Sequence, residues 1–236
     1  MKNGPVLFLG LFAALTLSWG GMVLLSHRQL GALAPYYDET ESGSFPLRQP
    51  GIAARGQLVY GDLGCASCHT QAVRRPDYGA DQARGWGERQ SVARDYIFQA
   101  RVQLGAARLG PDLTNLASRK PPYDTEDLTN LLYSGIIPGA KTVTHPAYKF
   151  LFEERAIVGQ RSALALKLTG KLAAPAGSEI VPTERAQTLV AYLLSLNTPY
   201  DYPEARPVPH VAEKKEGEPA TKKEAAPAAK KEGEKK

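Results

Sequence analysis

Cysteine, methionine and histidine are all scarce in this chain, at two, two and four among 236 residues. Two cysteines cannot build a disulfide framework, and they are too few for a four-cysteine zinc or iron–sulfur centre. Also lacking is the long apolar–polar alternation that would signal a sheet. No basic stripe with interleaved aromatics is found in the body, so a nucleic-acid partner is not expected. The formal charge is +5, but residues 213–236 contribute eight lysines against six glutamates. The rest of the chain is therefore close to neutral. Glycine (22) and proline (18) are abundant by contrast and point to much irregular structure.

What is present is sharply segregated. Gly4 to Ser26 reads GPVLFLGLFAALTLSWGGMVLLS, with no charged residue. As a helix that run spans about 34 Å, enough to cross a bilayer core. It exceeds the apolar region of a secretory signal, and no A-x-A-like cleavage site follows it, so residues 1–34 are expected to be an uncleaved transmembrane anchor in lipid. Lys2 precedes the run and His27 and Arg28 follow it, which leaves the positive-inside rule nearly silent on orientation. Residues 35–49, PYYDETESGSFPLRQ, form a polar connector. A folded domain is expected over 50–203. The Lys/Glu/Ala/Pro tail over 204–236 has too little apolar bulk to order itself.

The expected fold class is all-α: one N-terminal transmembrane helix plus a helical domain with long loops. The clearest helix lies in Pro182–Asn197, where Ala186, Leu189, Val190, Leu193 and Leu194 make one apolar stripe. Further helices are expected over Ile52–Gly61 and Thr125–Tyr133, and another around Arg94–Leu104. Asp124, Glu126 and Asp127 read as a loop and a first helical turn, not as a carboxylate pair for catalysis.

The decisive motif is Cys65-Ala66-Ser67-Cys68-His69. Cys-x-x-Cys-His is the attachment pattern of c-type haem, in which two thiols bind the porphyrin and the adjoining imidazole ligates the iron. A redox dithiol would want a strand–helix setting, whereas a helix precedes this motif. Structural zinc would need two further ligands, and outside the motif the folded domain offers only His145.

Around this motif the chain resembles a known family. GQLVYGDLGCASCHTQAVR, RGWGERQSVARDYIFQ, LGAARLGPDLTNLASR, PAYKFLFEE and TLVAYLLSLN follow in the order found in the mono-haem subunit II of cbb3-type cytochrome c oxidases. With the single anchor, the resemblance covers roughly Gly4 to Tyr202. It implies that the helical domain is cytochrome c-like, with one covalent haem c, on a single-pass protein of the bacterial cytoplasmic membrane, with the haem domain in the periplasm. It also implies electron transfer to a haem-copper catalytic subunit, with a further cytochrome c subunit or a soluble cytochrome as donor. The polypeptide would then carry no oxygen-reducing centre of its own. By the same resemblance, the Pro111 carbonyl in Gly110-Pro111-Asp112-Leu113 would accept the Nδ1–H of His69 and orient it. Arg74, Arg75, Arg94 and Arg108 are candidates to pair with haem propionates.

The chain departs from that family at one ligand. The family presents a methionine just before the block matching Pro146-Ala147-Tyr148, but here the methionines are Met1 and Met22, both in the membrane segment. His145 stands at the matching position. The sixth iron ligand is therefore His145, or there is none. Imidazole in place of thioether lowers a haem potential. Two other functions stay open: a membrane cytochrome serving a nitric oxide reductase or a quinol-oxidising complex, and a haem-based gas-binding module with His145 displaceable.

Overall fold

The computed structural model describes residues 3–206, so the expected tail lies outside the described residues from residue 207 onward. Helix α1 (Gly4–Leu30) is long and apolar enough to cross a membrane, with an 18-residue stretch of mean hydropathy 1.9, none of it buried. Over Gly20–Leu24 its hydrogen bonding widens to the π register. That happens at the Gly20-Gly21 pair, where an added Cβ would meet nothing within 4 Å.

The connector is more ordered than its composition suggests. Strands β1 (Tyr36–Asp38) and β2 (Gly43–Phe45) pair antiparallel, with Tyr36 opposite Phe45. Asp38 closes the turn by accepting the Thr40 N–H at 2.7 Å. The hairpin then lies on the segment around residues 200–202, near the end of the described residues. Phe45 stacks on Tyr200 with centroids 4.2 Å apart, and Tyr36 meets Tyr202 edge-on at 6.3 Å. The Tyr200 hydroxyl donates to Asp38. Arg94 ties the same region together, donating to the Ala34 carbonyl and to Glu204.

The core forms where α2 (Gly51–Asp62) crosses α4 (Glu184–Leu193). Gly56 sits at the crossing. A Cβ there would lie 1.9 Å from the Thr188 carbonyl oxygen and 2.6 Å from the Tyr192 Cβ. Only glycine lets the two backbones approach this closely. Ala53 and Tyr60 of α2 and Ala186, Leu189, Val190 and Tyr192 of α4 are buried around it, each large side chain worth about 1.5–3 kcal/mol. Tyr60 and Tyr192 meet edge-on at 5.4 Å. Thr183 caps α4 through its hydroxyl, so the helix starts after Pro182, inside the expected range.

Helix α3 (Thr125–Ser134) begins with a capping box: Asp124 accepts the Asp127 N–H at 2.8 Å, and Asp127 reaches back to the Asp124 N–H. It stops at Gly135, whose left-handed φ of 72° ends the helical hydrogen bonding. Its buried Leu128 and Leu132 join the core.

Two expectations are corrected. The protein is not all-α, because besides the β1–β2 hairpin it holds a second antiparallel pair, β3 (Phe152–Ala156) and β4 (Ser178–Pro182). Alternation was absent because Glu179, Ile180 and Val181 of β4 are all buried in succession. Glu179 is accommodated by Arg155 across the pair at 2.8 Å and by the Ser162 N–H at 2.7 Å. The helix expected over 94–104 shrinks to one 3-10 turn, Ala93–Tyr96. At the far end of that range, the Leu104 carbonyl accepts the Gln71 N–H, and Gly105 takes a φ of 86°. Packing also continues past residue 203, where Ala205 is buried.

Replacing Gly56 with valine should lower stability by about 3 kcal/mol, the upper end of an overpacking penalty. Gly51→Ala, where no atom lies within 4 Å of the added carbon, should stay within about 0.5 kcal/mol of wild type. Thermal unfolding followed by circular dichroism compares the two.

Candidate cofactor site

Helix α2 delivers the motif. After Asp62 the chain turns through Gly64, whose φ of 70° is left-handed and suits glycine. It then enters a 3-10 turn, Cys65–Ser67. Side chains three apart eclipse on such a turn, which puts both thiols on one side. The Cys68 and His69 N–H groups both bond the Cys65 carbonyl, at 3.1 and 3.0 Å, so the histidine follows in a fixed direction. Both cysteines are free and partly buried. Burial pushes the Cys65 thiol up to about 11, opposite to the depressed value that marks a redox dithiol.

A second segment wraps the motif from residue 104 to 113. Four backbone bonds hold it: Gln71 N–H to Leu104 O, Ala106 N–H to Ala66 O, Gly110 N–H to Cys68 O, and Leu113 N–H to Thr70 O, at 2.8–3.0 Å. Two glycines permit the contact. A Cβ at Gly105 would lie 2.2 Å from the His69 carbonyl oxygen, and one at Gly110 would lie 2.2 Å from the His69 ring. The wrap brings the Pro111 carbonyl 2.8 Å from His69 Nδ1, so the ring donates there and Nε2 is left for a metal.

His145 arrives from the opposite element. Its N–H and that of Thr144 both bond the carbonyl of Gly135, at the end of α3. Its Nδ1 bonds the Pro146 carbonyl at 2.9 Å, and Tyr148 lies 5.9 Å away, ring to ring. Burial, with His69 acting in the same direction, holds the imidazole below its ordinary value and hence neutral, the form that ligates. The His69 and His145 rings stand 6.0 Å apart, centroid to centroid. With metal–imidazole bonds of about 2.0 Å, one metal between two such nitrogens would hold the rings at about this separation.

The sequence reading named Cys65, Cys68, His69, Pro111 and His145, and the structure brings these five together. The arginine candidates fare differently. Arg108 is committed to Asp81 and Arg94 to Glu204, while Arg75 pairs with Asp77 at 3.1 Å. The Arg74 side chain is exposed. Sequence reasoning missed the buried carboxylate of Asp112. It accepts the Thr70 hydroxyl at 2.7 Å, the Ala72 N–H at 2.8 Å and the Thr114 N–H at 2.9 Å, which pins the Pro111 loop to the residues after His69. Its only local signal was the spacing of Arg108 and Asp112, four apart.

Among the described residues no group of three or more His, Cys, Asp or Glu is arranged to hold a metal ion, so a four-ligand zinc site has no cage here. The donor set instead suits a porphyrin iron: Cys65 and Cys68 could attach the group, and His69 and His145 could each supply an imidazole nitrogen to its iron. No protein-family model matches the chain, and a search of curated proteins returns no match.

Burial alone would raise the Asp81 carboxyl, but the Arg108 hydrogen bond and the Arg74 N–H outweigh it and hold it below the ordinary range. Its contribution to stability is therefore full above about pH 4 and is lost as pH falls toward the lowered native value. Asp81→Asn should flatten the acid limb of a plot of urea midpoint against pH, with the largest loss of stability at neutral pH.

Proposed function

We propose that this protein is a membrane-anchored mono-haem c-type cytochrome that carries electrons to the haem-copper catalytic subunit of a cbb3-type terminal oxidase. The observation that carries the haem reading is the pairing of His69, oriented by Pro111 at 2.8 Å, with His145 at a ring separation of 6.0 Å. The oxidase partner rests on the order of the sequence blocks and on the single apolar N-terminal helix. When bound, haem c supplies a reversible one-electron iron couple. The protein's own residues do the rest. The two thiols would hold the group, and His69, fixed in direction by Pro111, and His145 would each offer an imidazole nitrogen to its iron. Helix α1 would keep the body at the surface of the bacterial cytoplasmic membrane on the periplasmic side. With two imidazoles the potential is lower than in a methionine-ligated relative, which favours donation onward and calls for a correspondingly reducing donor.

Purification of the full chain from native membranes in mild detergent tests the partner. Copper, a high-spin carbon-monoxide-binding haem and oxygen uptake in the same material support the oxidase subunit. A lone low-spin haem c without them points to another respiratory complex or a free carrier. Ligation is tested separately. His145→Ala should open the sixth position, so that the reduced protein binds carbon monoxide, while wild type does not. Ready binding by wild type would return the gas-binding reading and remove His145 from the ligand set.

A further inference from the structure

Behind His69 lies a set of buried charges that neither haem attachment nor iron ligation requires. The Asp112 side chain is 0% exposed, Asp81 2% and Arg108 15%. Arg108 bridges the two acids: it is bonded to Asp81, stands 3.7 Å from Asp112 Oδ2, and donates to the Ala72 carbonyl at 2.6 Å. Asp81 also accepts the Arg74 N–H at 2.7 Å. Arg119 donates to the Asp112 carbonyl. The Nε atoms of Arg108 and Arg119 are buried without a partner. The charges thus come as two carboxylates and two guanidiniums, with the Trp86 ring 5.7 Å from the Arg108 guanidinium.

This cluster touches the His69 segment at two points. Asp112 is the residue after Pro111, whose carbonyl receives the His69 Nδ1–H, and its carboxylate accepts from Thr70, the residue after His69. Resting on the haem reading above, we propose that Asp112 and Arg108 set the reduction potential of the iron that His69 would hold, and that they act with opposite sign. The oxidised centre carries one more positive charge than the reduced one. A fixed carboxylate nearby favours the oxidised form and a fixed guanidinium the reduced form, and burial lets both act with little solvent screening. Both residues are positioning and tuning groups; neither is a ligand.

The test is redox titration of the full-length protein in detergent. Asp112→Asn keeps the side-chain shape and removes the charge. It should shift the equilibrium about threefold toward the reduced form, ~28 mV upward at 59 mV per decade for one electron. Arg108→Gln should shift it by a similar factor in the opposite direction. Asp81→Asn, one residue further from the loop, should move it upward by less, and it carries the test where Asp112→Asn loses its haem. All shifts should persist at high salt. Opposite signs support the proposal, because a merely loosened pocket would let water in and move every variant the same way. Same-sign shifts, or unmoved potentials in haem-loaded variants, overturn it. A wild-type protein without covalent haem on a denaturing gel overturns the haem reading instead, which separates the two failures.

Discussion

The close approach of α2 and α4 at Gly56 governs the rest of this structure. With a backbone carbonyl 1.9 Å from where a Cβ would stand, the crossing has one geometry and no slack. That geometry fixes where α2 ends, and therefore where the turn bearing Cys65 and Cys68 begins. The same contact aims Tyr192 of α4 at Gln71, whose side-chain oxygen it meets at 2.8 Å. Gln71 lies two residues beyond His69. The helix pair thus holds the motif from both ends, and α3 needs only to present the His145 loop from across the site.

Around that frame, the site is built chiefly from main chain. Four backbone bonds between 66–71 and 104–113 close the wrap, and the orienting acceptor for His69 is a peptide carbonyl. Peptide groups do not titrate and have no rotamers, so the ring direction is set by the fold alone. His145 is held more lightly, by two N–H groups sharing the carbonyl of Gly135. His69 is thus fixed by an acceptor 42 residues away in the chain, whereas the His145 ring bonds only the carbonyl of its neighbour Pro146.

Local patterns made much of this legible. The stripe in α4, the first turn of α3 and the Cys65-x-x-Cys68-His69 motif could be read because each is signalled within a few positions, whereas Pro111 and His145 came only from the resemblance to a family. The second hairpin was hidden, since Glu179, Ile180 and Val181 are buried together and leave no alternation to read. The 94–104 segment looked helical because its side chains permit a helix, but tertiary pairing claimed part of its backbone. Asp112 and Asp81 were missed for a similar reason. A buried carboxylate announces itself only when its partners, 2 to 42 residues away in the chain, are seen beside it.

The hairpin of residues 36–45 also redraws the border between the apolar N-terminal helix and the folded body. Its rings cover Tyr200 and Tyr202, and Tyr202 is completely enclosed. A fragment cut at residue 50, where composition places the domain boundary, would strip aromatic cover from the closing segment of the fold. A water-soluble form therefore has to start in the short stretch between Leu30 and Tyr36, keeping every residue of the hairpin and discarding only the apolar helix.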